Sequence, residues 1–192
     1  MKMFRQLLTF YTRNLVDKPV ITRSIVSACL ASTGDVIAQQ IIEKRGDKHD
    51  FFRTLRMGFF GGCIAGPALS IWHPFLDRSV RFKRKSLATI SRVALDQTLY
   101  APFIIGMFFS VQGLLEYRKF ELIKQKLDKG YFTALKNNYR IWPIAQLINF
   151  WLVPLTHRVL FINLVALGWN TYLSWLNQRT RMVTEMTTKQ IQ

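Results

Sequence analysis

The sequence alternates between long apolar stretches and short basic blocks. Four charge-poor stretches occupy residues 19–42, 57–76, 93–115 and 142–175, and most of the 27 Lys and Arg residues lie between them. A helix needs about 20 apolar residues to cross a bilayer, and basic residues that flank such helices lie at the lipid headgroups. We therefore predict an all-α, polytopic integral membrane helix bundle of about four transmembrane helices, with residues 1–192 forming a single membrane domain.

The composition argues against a soluble nucleic-acid-binding protein. Hydrophobic residues make up 49% of the chain although its net charge is +16. A soluble protein that binds nucleic acid would gather its cations on one face or in one tail, whereas here they are spread between the apolar stretches. A soluble all-helical bundle is the alternative, because Arg23, Asp35 and Asp96 interrupt the stretches. These helices lack the polar face that a soluble bundle needs. We therefore expect as partners the lipid bilayer, small solutes and further copies of the chain in a homo-oligomer, and we expect no direct nucleic acid binding.

The last apolar stretch is too long for one straight crossing. It covers 34 residues, 142–175, and contains Pro154. A proline inside a helix removes a backbone hydrogen bond and favours a kink or a break. We predict that this stretch is kinked or broken near Pro154, as one crossing plus an interfacial piece or as two short crossings.

Two further segments have the pattern of amphipathic helices. Residues 1–18 place an apolar stripe opposite basic residues, which is typical of a mitochondrial targeting segment and of an interfacial anchor. Residues 117–140 repeat apolar side chains at helical spacing among lysines. We predict that this second segment lies along the membrane surface as one or two short interfacial helices.

The distribution of basic residues does not fix the orientation. With four crossings, both termini lie on one side of the membrane, and the two sides carry 13 and 12 Lys and Arg residues. The positive-inside rule requires a bias between the sides, and these numbers give none.

The second apolar stretch contains a face of small residues. Gly58, Gly62 and Gly66 are four residues apart, which places them on one side of a helix. Glycines at this spacing let two helices approach closely, so we predict a helix-packing face, used either within one monomer or between subunits. The glycines match no dinucleotide-binding motif, and Pro67 stands where a P-loop needs lysine.

Polar residues inside the apolar stretches are the candidate functional residues. A charge at the centre of a span opposes insertion by roughly 2.5–3.5 kcal/mol, so it should face the bundle or water and find a partner. Three explanations are open for these residues: a buried ion pair of Arg158 with Asp35 or Asp96, the polar lining of a solute pathway, and Arg158 as a boundary residue that reaches the headgroups. We found no catalytic or zinc-binding motif, so we expect no enzyme activity, cofactor or metal. The candidates for a pore or buried polar network are Asp35, Gln39, Asp96, Gln97, Gln146, Asn149 and Arg158.

The C-terminal third carries a motif of a known family. Its residues are Trp142, Pro143, Gln146, Asn149, Phe150, Pro154 and Arg158, followed by Trp169, Asn170, Tyr172, Leu173 and Ser174. Upstream, further residues of the family occur in the family's order, namely the Gly34-Asp35-x-x-x-Gln39 motif, Arg53 and Arg56, Gly66-Pro67, Trp72 and Asp96-Gln97. With these residues the chain resembles the Mpv-seventeen / peroxisomal membrane protein family from about residue 10 to residue 176. His73 departs from the tyrosine that the family usually has there.

The resemblance implies a small integral membrane protein of the mitochondrial inner membrane or the peroxisomal membrane. Members have been linked to channel-like solute passage, mitochondrial DNA maintenance and stress tolerance, without an agreed substrate or catalytic residues. Together with the basic N-terminal segment it favours the mitochondrial inner membrane, with the peroxisomal membrane as the alternative. Our hypothesis is a weakly selective channel for small solutes that supports mitochondrial metabolite homeostasis. The alternatives are a non-conducting scaffold of a homo-oligomeric complex and a peroxisomal membrane channel.

Overall fold

The computed structural model describes residues 2–117, 120–153 and 157–191, and this part of the chain contains helices and turns but no strand. Three short π-helical turns in this part of the chain adjoin α-helices without a break, at Ala38–Ile42, Phe60–Ala65 and Asp96–Tyr100. The helices are α1 (Lys2–Asp17), α2 (Pro19–Ile37), α3 (Phe51–Phe59), α4 (Gly66–Ser79), α5 (Lys85–Leu95), α6 (Ala101–Glu116), α7 (Phe120–Trp151) and α8 (Arg158–Ile191).

Within residues 2–117, 120–153 and 157–191, three continuous helical segments are long and apolar enough to cross a membrane. They are Pro19–Ile42, Phe51–Ser79 and Ser86–Glu116, and each includes one of the π-helical turns. The prediction of a helical membrane protein is thereby confirmed. The second segment begins six residues before the predicted Met57, because the side chain of Asp50 accepts a hydrogen bond from the backbone N–H of Arg53 at 2.9 Å and caps α3.

The predicted basic amphipathic N-terminal segment forms α1. It ends at Asp17, and α2 starts directly afterwards with Pro19 in its first turn. Proline is well suited to this position because the first N–H groups of a helix have no acceptor within the helix. The first span therefore begins where the sequence predicts it.

Residues 120–140 do not form a separate interfacial helix. They are the first part of α7, which continues without a break to Trp151 and runs antiparallel to α6. Ile123 packs on Gly113, and a Cβ atom on Gly130 would collide with the ring of Phe109. Ile123 and Leu127 of the apolar stripe therefore pack inside the bundle, whereas Phe120 and Phe132 are 73% and 70% exposed.

The last apolar stretch is divided between two antiparallel helices. The end of α7 at Trp151 and the start of α8 at Arg158 place the break where it was predicted, while Pro154 itself lies outside the described residues. Asn137 is hydrogen-bonded to Tyr172, and the rings of Trp142 and Trp169 lie 6.4 Å apart in an edge-to-face arrangement. The stretch thus supplies the end of one helix and the first half of the next.

The glycine face of the second span lies inside the monomer. It packs on α2, which runs antiparallel to α3 and α4, at the small residues Ser24, Ala28 and Ser32. A Cβ atom on Gly62 would lie 3.1 Å from the Cβ of Ala28, and one on Gly66 would lie 2.7 Å from the backbone nitrogen of Ser24. This close approach requires residues without a side chain.

The antiparallel pairs bring several helix ends to one end of the bundle. The C-terminal ends of the first and third spans lie there, together with the start of α3 and the connection 43–50. Helix α8 runs parallel to α2, because Asn170 packs on Gly34 and Ser174 contacts Asp35. We refer to this region as the 43–50 end. Next to it lies an aromatic core in which Phe60, Phe108 and Phe109 are buried.

A buried charge network as the candidate functional site

Asp35 and Gln39 lie one helical turn apart near the C-terminal end of the first span. Both side chains are fully buried. Gln39 Nε2 donates a hydrogen bond to Asp35 Oδ2 at 2.7 Å, and Gln39 Oε1 accepts one from the backbone N–H of Asp50 at 2.7 Å. Gln39 therefore ties the buried carboxylate to the residue that caps α3.

Arg53 is the buried cation that pairs with Asp35. Its Nε lies 2.7 Å from Asp35 Oδ1, and the two side chains are 1% and 0% exposed. The two Nη atoms each donate to one oxygen of Glu43 at 2.8 Å. The guanidinium group thus lies between two carboxylates, one of which it binds in the bidentate geometry that is strongest for arginine.

Helix α8 completes this arrangement through Ser174. Its hydroxyl donates to Asp35 Oδ1 and accepts from Arg53 Nη2 at 2.8 Å. Thr54 Oγ1 donates to Asp35 Oδ2 at 2.5 Å. The Asp35 carboxylate therefore accepts hydrogen bonds or an ion pair from four side chains, and it joins the first span, the second span and α8.

A second buried ion pair lies at the same end of the bundle. Glu116, the last residue of α6, pairs with Lys126 of α7, and both side chains are at most 1% exposed. Asn177 Nδ2 donates to Glu116 Oε1 at 3.1 Å. Burial lowers the pKa of Lys126 to about 8, although the attraction of Glu116 opposes this shift.

Arg56 connects the two ion pairs into one charge network. Its Nη2 lies 3.9 Å from Glu116 Oε1 and 4.0 Å from Asp50 Oδ2. Arg45 adds a further contact to Glu43 at 2.8 Å. The charges of the network balance. Its members are the acids Asp35, Glu43, Asp50 and Glu116 and the bases Arg45, Arg53, Arg56 and Lys126.

Asp96 and Gln97 lie in a separate polar group. Asp96 accepts hydrogen bonds from Trp72 Nε1 at 2.9 Å and from Gln97 Nε2 at 3.1 Å. Asn138 of α7 donates to Gln97 Oε1 at 2.9 Å. The Trp72 ring is stacked on that of Tyr100, with 5.4 Å between the centroids. This group joins the second span, the third span and α7.

The remaining three candidates lie near the turn between α7 and α8. Gln146 and Asn149 belong to α7, and Asn149 Oδ1 is buried without a hydrogen-bond partner among the described residues. Arg158 Nε donates to the backbone carbonyl of Val153 at 3.1 Å. The seven predicted polar residues therefore lie in three places. Asp35 and Asp96 are the two anions that the sequence offers as partners for Arg158. In the structure Asp35 pairs with Arg53, and Asp96 accepts hydrogen bonds from Trp72 and Gln97.

The family motif lies mainly at helix contacts. Asn170 packs on Gly34 and donates to the carbonyl of Ala166 at 2.8 Å, while Trp169 is buried against Trp142. Ser174 belongs to the charge network. Pro143 and Phe150 lie in α7, but the side chain of Phe150 and all of Pro154 lie outside the described part of the chain.

The predicted polar network did not include Arg53, Glu43, Glu116 and Lys126, because all four lie in the predicted connections between spans. The sequence identifies Arg53 only as a residue of the family motif. One signal was available for Arg53. Asp50 is a good N-cap residue, and a helix that starts after it places Arg53 and Arg56 on one face. No comparable signal marks Lys126, since a lysine in an amphipathic pattern normally points to water.

Comparison with known proteins agrees with these features. The Mpv17 / PMP22 family matches residues 113–174. Protein SYM1 of Gibberella zeae is 44% identical over 172 residues, which is 88% of this chain and 97% of the relative. The proteins named mitochondrial inner membrane protein Mpv17 from Xenopus laevis and Danio rerio are 39% and 37% identical, each over 86% of this chain and 93% of the relative.

No solved structure matches the chain. The family match covers the end of α6, α7 and the first half of α8, and the relatives extend the similarity over most of the sequence. The predicted family and the predicted membrane are both confirmed. The chain belongs to the Mpv17 / PMP22 family and is a protein of the mitochondrial inner membrane.

Proposed function

We propose that this protein is a weakly selective solute channel of the mitochondrial inner membrane, and that the charge network closes its 43–50 end. In this role it supports mitochondrial metabolite homeostasis and, through it, mitochondrial DNA maintenance and stress tolerance. The observation that carries the proposal is the pair of Asp35 and Arg53, which is buried between two membrane spans and α8.

The energetics of buried charges favour a functional role for this pair. A buried ion pair is often no more stabilising than apolar side chains of similar volume, because desolvation offsets the attraction. Charged residues inside membrane segments mark solute or ion pathways in many transporters. Apolar side chains could therefore hold the three helices together, and the buried charges of Asp35 and Arg53 support a polar route through the bundle.

The distribution of polar groups supports a route with low selectivity. The charge network contains equal numbers of acids and bases, so it favours neither sign of charge strongly. Asp96, Gln97 and Asn138 provide a second polar group at another depth of the bundle. In the proposed open state, Arg53 exchanges its partners and lets small solutes pass between α2, α3 and α8.

The proposal is tested by reconstituting the purified protein in liposomes and measuring the release of small charged and uncharged solutes. We expect release from liposomes with the wild-type protein, and faster release after the paired change Asp35→Asn with Arg53→Gln. The matched control is Asp77→Asn with Arg92→Gln, which removes an ion pair that is 65% and 37% exposed. Absence of release from both the wild type and the first variant would refute the channel.

A non-conducting scaffold in a homo-oligomer is the second candidate. The glycine face is already covered by α2 of the same chain, so assembly would have to use another surface. The specific observation in its favour is a row of large apolar side chains exposed on the spans, including Ile71, Phe75 and Phe103, which either lipid or another subunit can cover. A native complex larger than the monomer, combined with no solute release, would favour the scaffold.

A further inference from the structure

A cleft of about 470 Å³ lies between α7 and α8, apart from the charge network. Of the nine described residues that line it, two are cations and none is an acid. The polar and aromatic residues that matter for its chemistry are Lys129, Thr133, Asn137, Tyr172, Trp175 and Arg179. The cleft is therefore suited to a negatively charged ligand.

Both cations lie at the same end of the cleft. Lys129 Nζ is 3.5 Å from the backbone carbonyl of Val183, which is one helical turn beyond Arg179 on α8. The guanidinium carbon of Arg179 lies 5.3 Å from the ring centroid of Trp175, so the aromatic ring holds this side chain beside the cleft. Lysine and arginine from two different helices can therefore reach one anionic group.

The other end of the cleft is aromatic and has one polar donor. The ring centroids of Tyr172 and Trp175 lie 6.1 Å apart. Tyr172 Oη accepts a hydrogen bond from Asn137 Nδ2 at 2.6 Å, which leaves the hydroxyl proton of Tyr172 to be donated into the cleft. A ligand that fits this cleft combines a charged group with an apolar part.

The depth of the cleft indicates where that ligand comes from. Gly130, next to Lys129, packs on Phe109, which is eight residues from the midpoint of the span Ser86–Glu116. Eight helical residues correspond to about 12 Å, and half of the hydrocarbon core is about 15 Å thick. Lys129 therefore lies near the boundary at which lipid phosphates begin.

We propose that this cleft binds an anionic phospholipid. Lys129 and Arg179 contact the phosphate, and an acyl chain lies along Tyr172 and Trp175. Basic pockets between membrane helices are a general means of recognising anionic headgroups, and charge-assisted hydrogen bonds to phosphate are strong. The site is independent of solute passage, and its test requires no flux measurement.

The test follows the thermal unfolding of purified protein in an uncharged detergent while lipid is added. We expect phosphatidylglycerol to raise the Tm more than phosphatidylcholine does. Lys129→Gln with Arg179→Gln should abolish most of this difference. The matched control is Lys124→Gln with Lys136→Gln, which removes two exposed charges from α7 outside the cleft. This control variant should retain the difference in Tm between the two lipids. Equal responses of the two double variants would overturn the proposal.

A soluble phosphate compound separates the lipid from other phosphate sources. Glycerol 3-phosphate carries a phosphate monoester and no acyl chains, so it represents a soluble phosphate source. We expect it to leave the Tm unchanged at concentrations where phosphatidylglycerol acts. An equal Tm rise with glycerol 3-phosphate, lost in the cleft variant, would overturn the assignment to lipid. The Tm of the variants without lipid provides the control for folding. We expect it to match that of the wild type, because both cations lie at the surface of the bundle.

Discussion

Helix α2 is held in the bundle by two different kinds of contact along its length. Its first part meets the glycine face, where Ser24 approaches Gly66 so closely that a side chain has no room. Its last part meets the charge network, where Asp35 is buried against Arg53 and Ser174. Close backbone packing has one arrangement, whereas charged side chains can exchange partners. Gly34, next to Asp35, also packs closely on α8, since an added Cβ atom would lie 2.9 Å from the backbone nitrogen of Thr171. The comparison therefore indicates that backbone packing fixes the position of α2, while the side chains of the charge network are able to exchange partners.

The largest effect is expected at the charge network. Replacing Arg53 by leucine leaves Asp35 buried without its cation, whereas Glu43 keeps its contact with Arg45. We expect the free energy of unfolding to fall by about 3–5 kcal/mol. The matched change Arg92→Leu breaks the exposed pair with Asp77 and should lower the free energy of unfolding by about 0–1 kcal/mol. Denaturant unfolding in detergent micelles measures both. Similar losses for the two variants would remove the distinction between buried and exposed pairs.

At the glycine contact, the stability of the bundle should depend on the size of the side chain and not on its charge. A methyl group on Gly66 collides with the backbone of Ser24, so Gly66→Ala should destabilise the bundle by about 1–3 kcal/mol. Gly168 of α8 has no atom within 4 Å of an added Cβ, and Gly168→Ala should stabilise the helix by up to about 1 kcal/mol. The same unfolding measurement applies. Tolerance of alanine at Gly66 would show that the helices can move apart there.

A pH dependence tests the second ion pair of the network. Because burial lowers the pKa of Lys126 to about 8 from its usual 10.5, the folded protein loses this proton at a pH where the unfolded chain still holds it. Between these two values the unfolded chain binds more protons, so the contribution of Lys126 to stability rises with pH. We expect the Tm of the wild type to rise relative to that of Lys126→Met from pH 8 to pH 10. Parallel curves would contradict the burial of this amine.

The direction of α8 predicts the positions of the termini. Because α8 runs parallel to α2, with Ser174 at Asp35 and Asn177 at Glu116, the C-terminal part of α8 extends past the 43–50 end. The start of α2 lies at the opposite end. We expect protease protection in intact and in swollen mitochondria to place tags at the two termini on opposite sides of the inner membrane. Tags on one side would favour the four-crossing arrangement expected from hydropathy.

Hydropathy and proline placement predicted much of the fold. The three spans follow from apolar length, and the break between α7 and α8 follows from a stretch too long for one crossing. The position of residues 120–140 could not be predicted. A lysine-rich amphipathic stripe has the same pattern whether its apolar side packs on lipid or, as for Ile123 and Gly113, on a neighbouring helix.

The candidate site was predictable in part. Asp35 and Gln39 were identified because charges and amides are rare in apolar stretches. Their partner Arg53 was assigned to a connection, because hydropathy starts the second span at residue 57 whereas the Asp50 cap starts the helix at Phe51. Pairing between residues far apart in the chain, such as Asp35 with Ser174, depends on tertiary packing that one sequence does not contain.

The most direct test of the proposed function is the conductance of planar bilayers that contain the purified protein. We expect the wild type to show small, infrequent openings, because the charge network holds the 43–50 end closed. The paired change Asp35→Asn with Arg53→Gln should increase the open fraction, whereas Asp77→Asn with Arg92→Gln should leave it unchanged. Bilayers that stay silent with all three proteins would contradict a channel whose gate is this network.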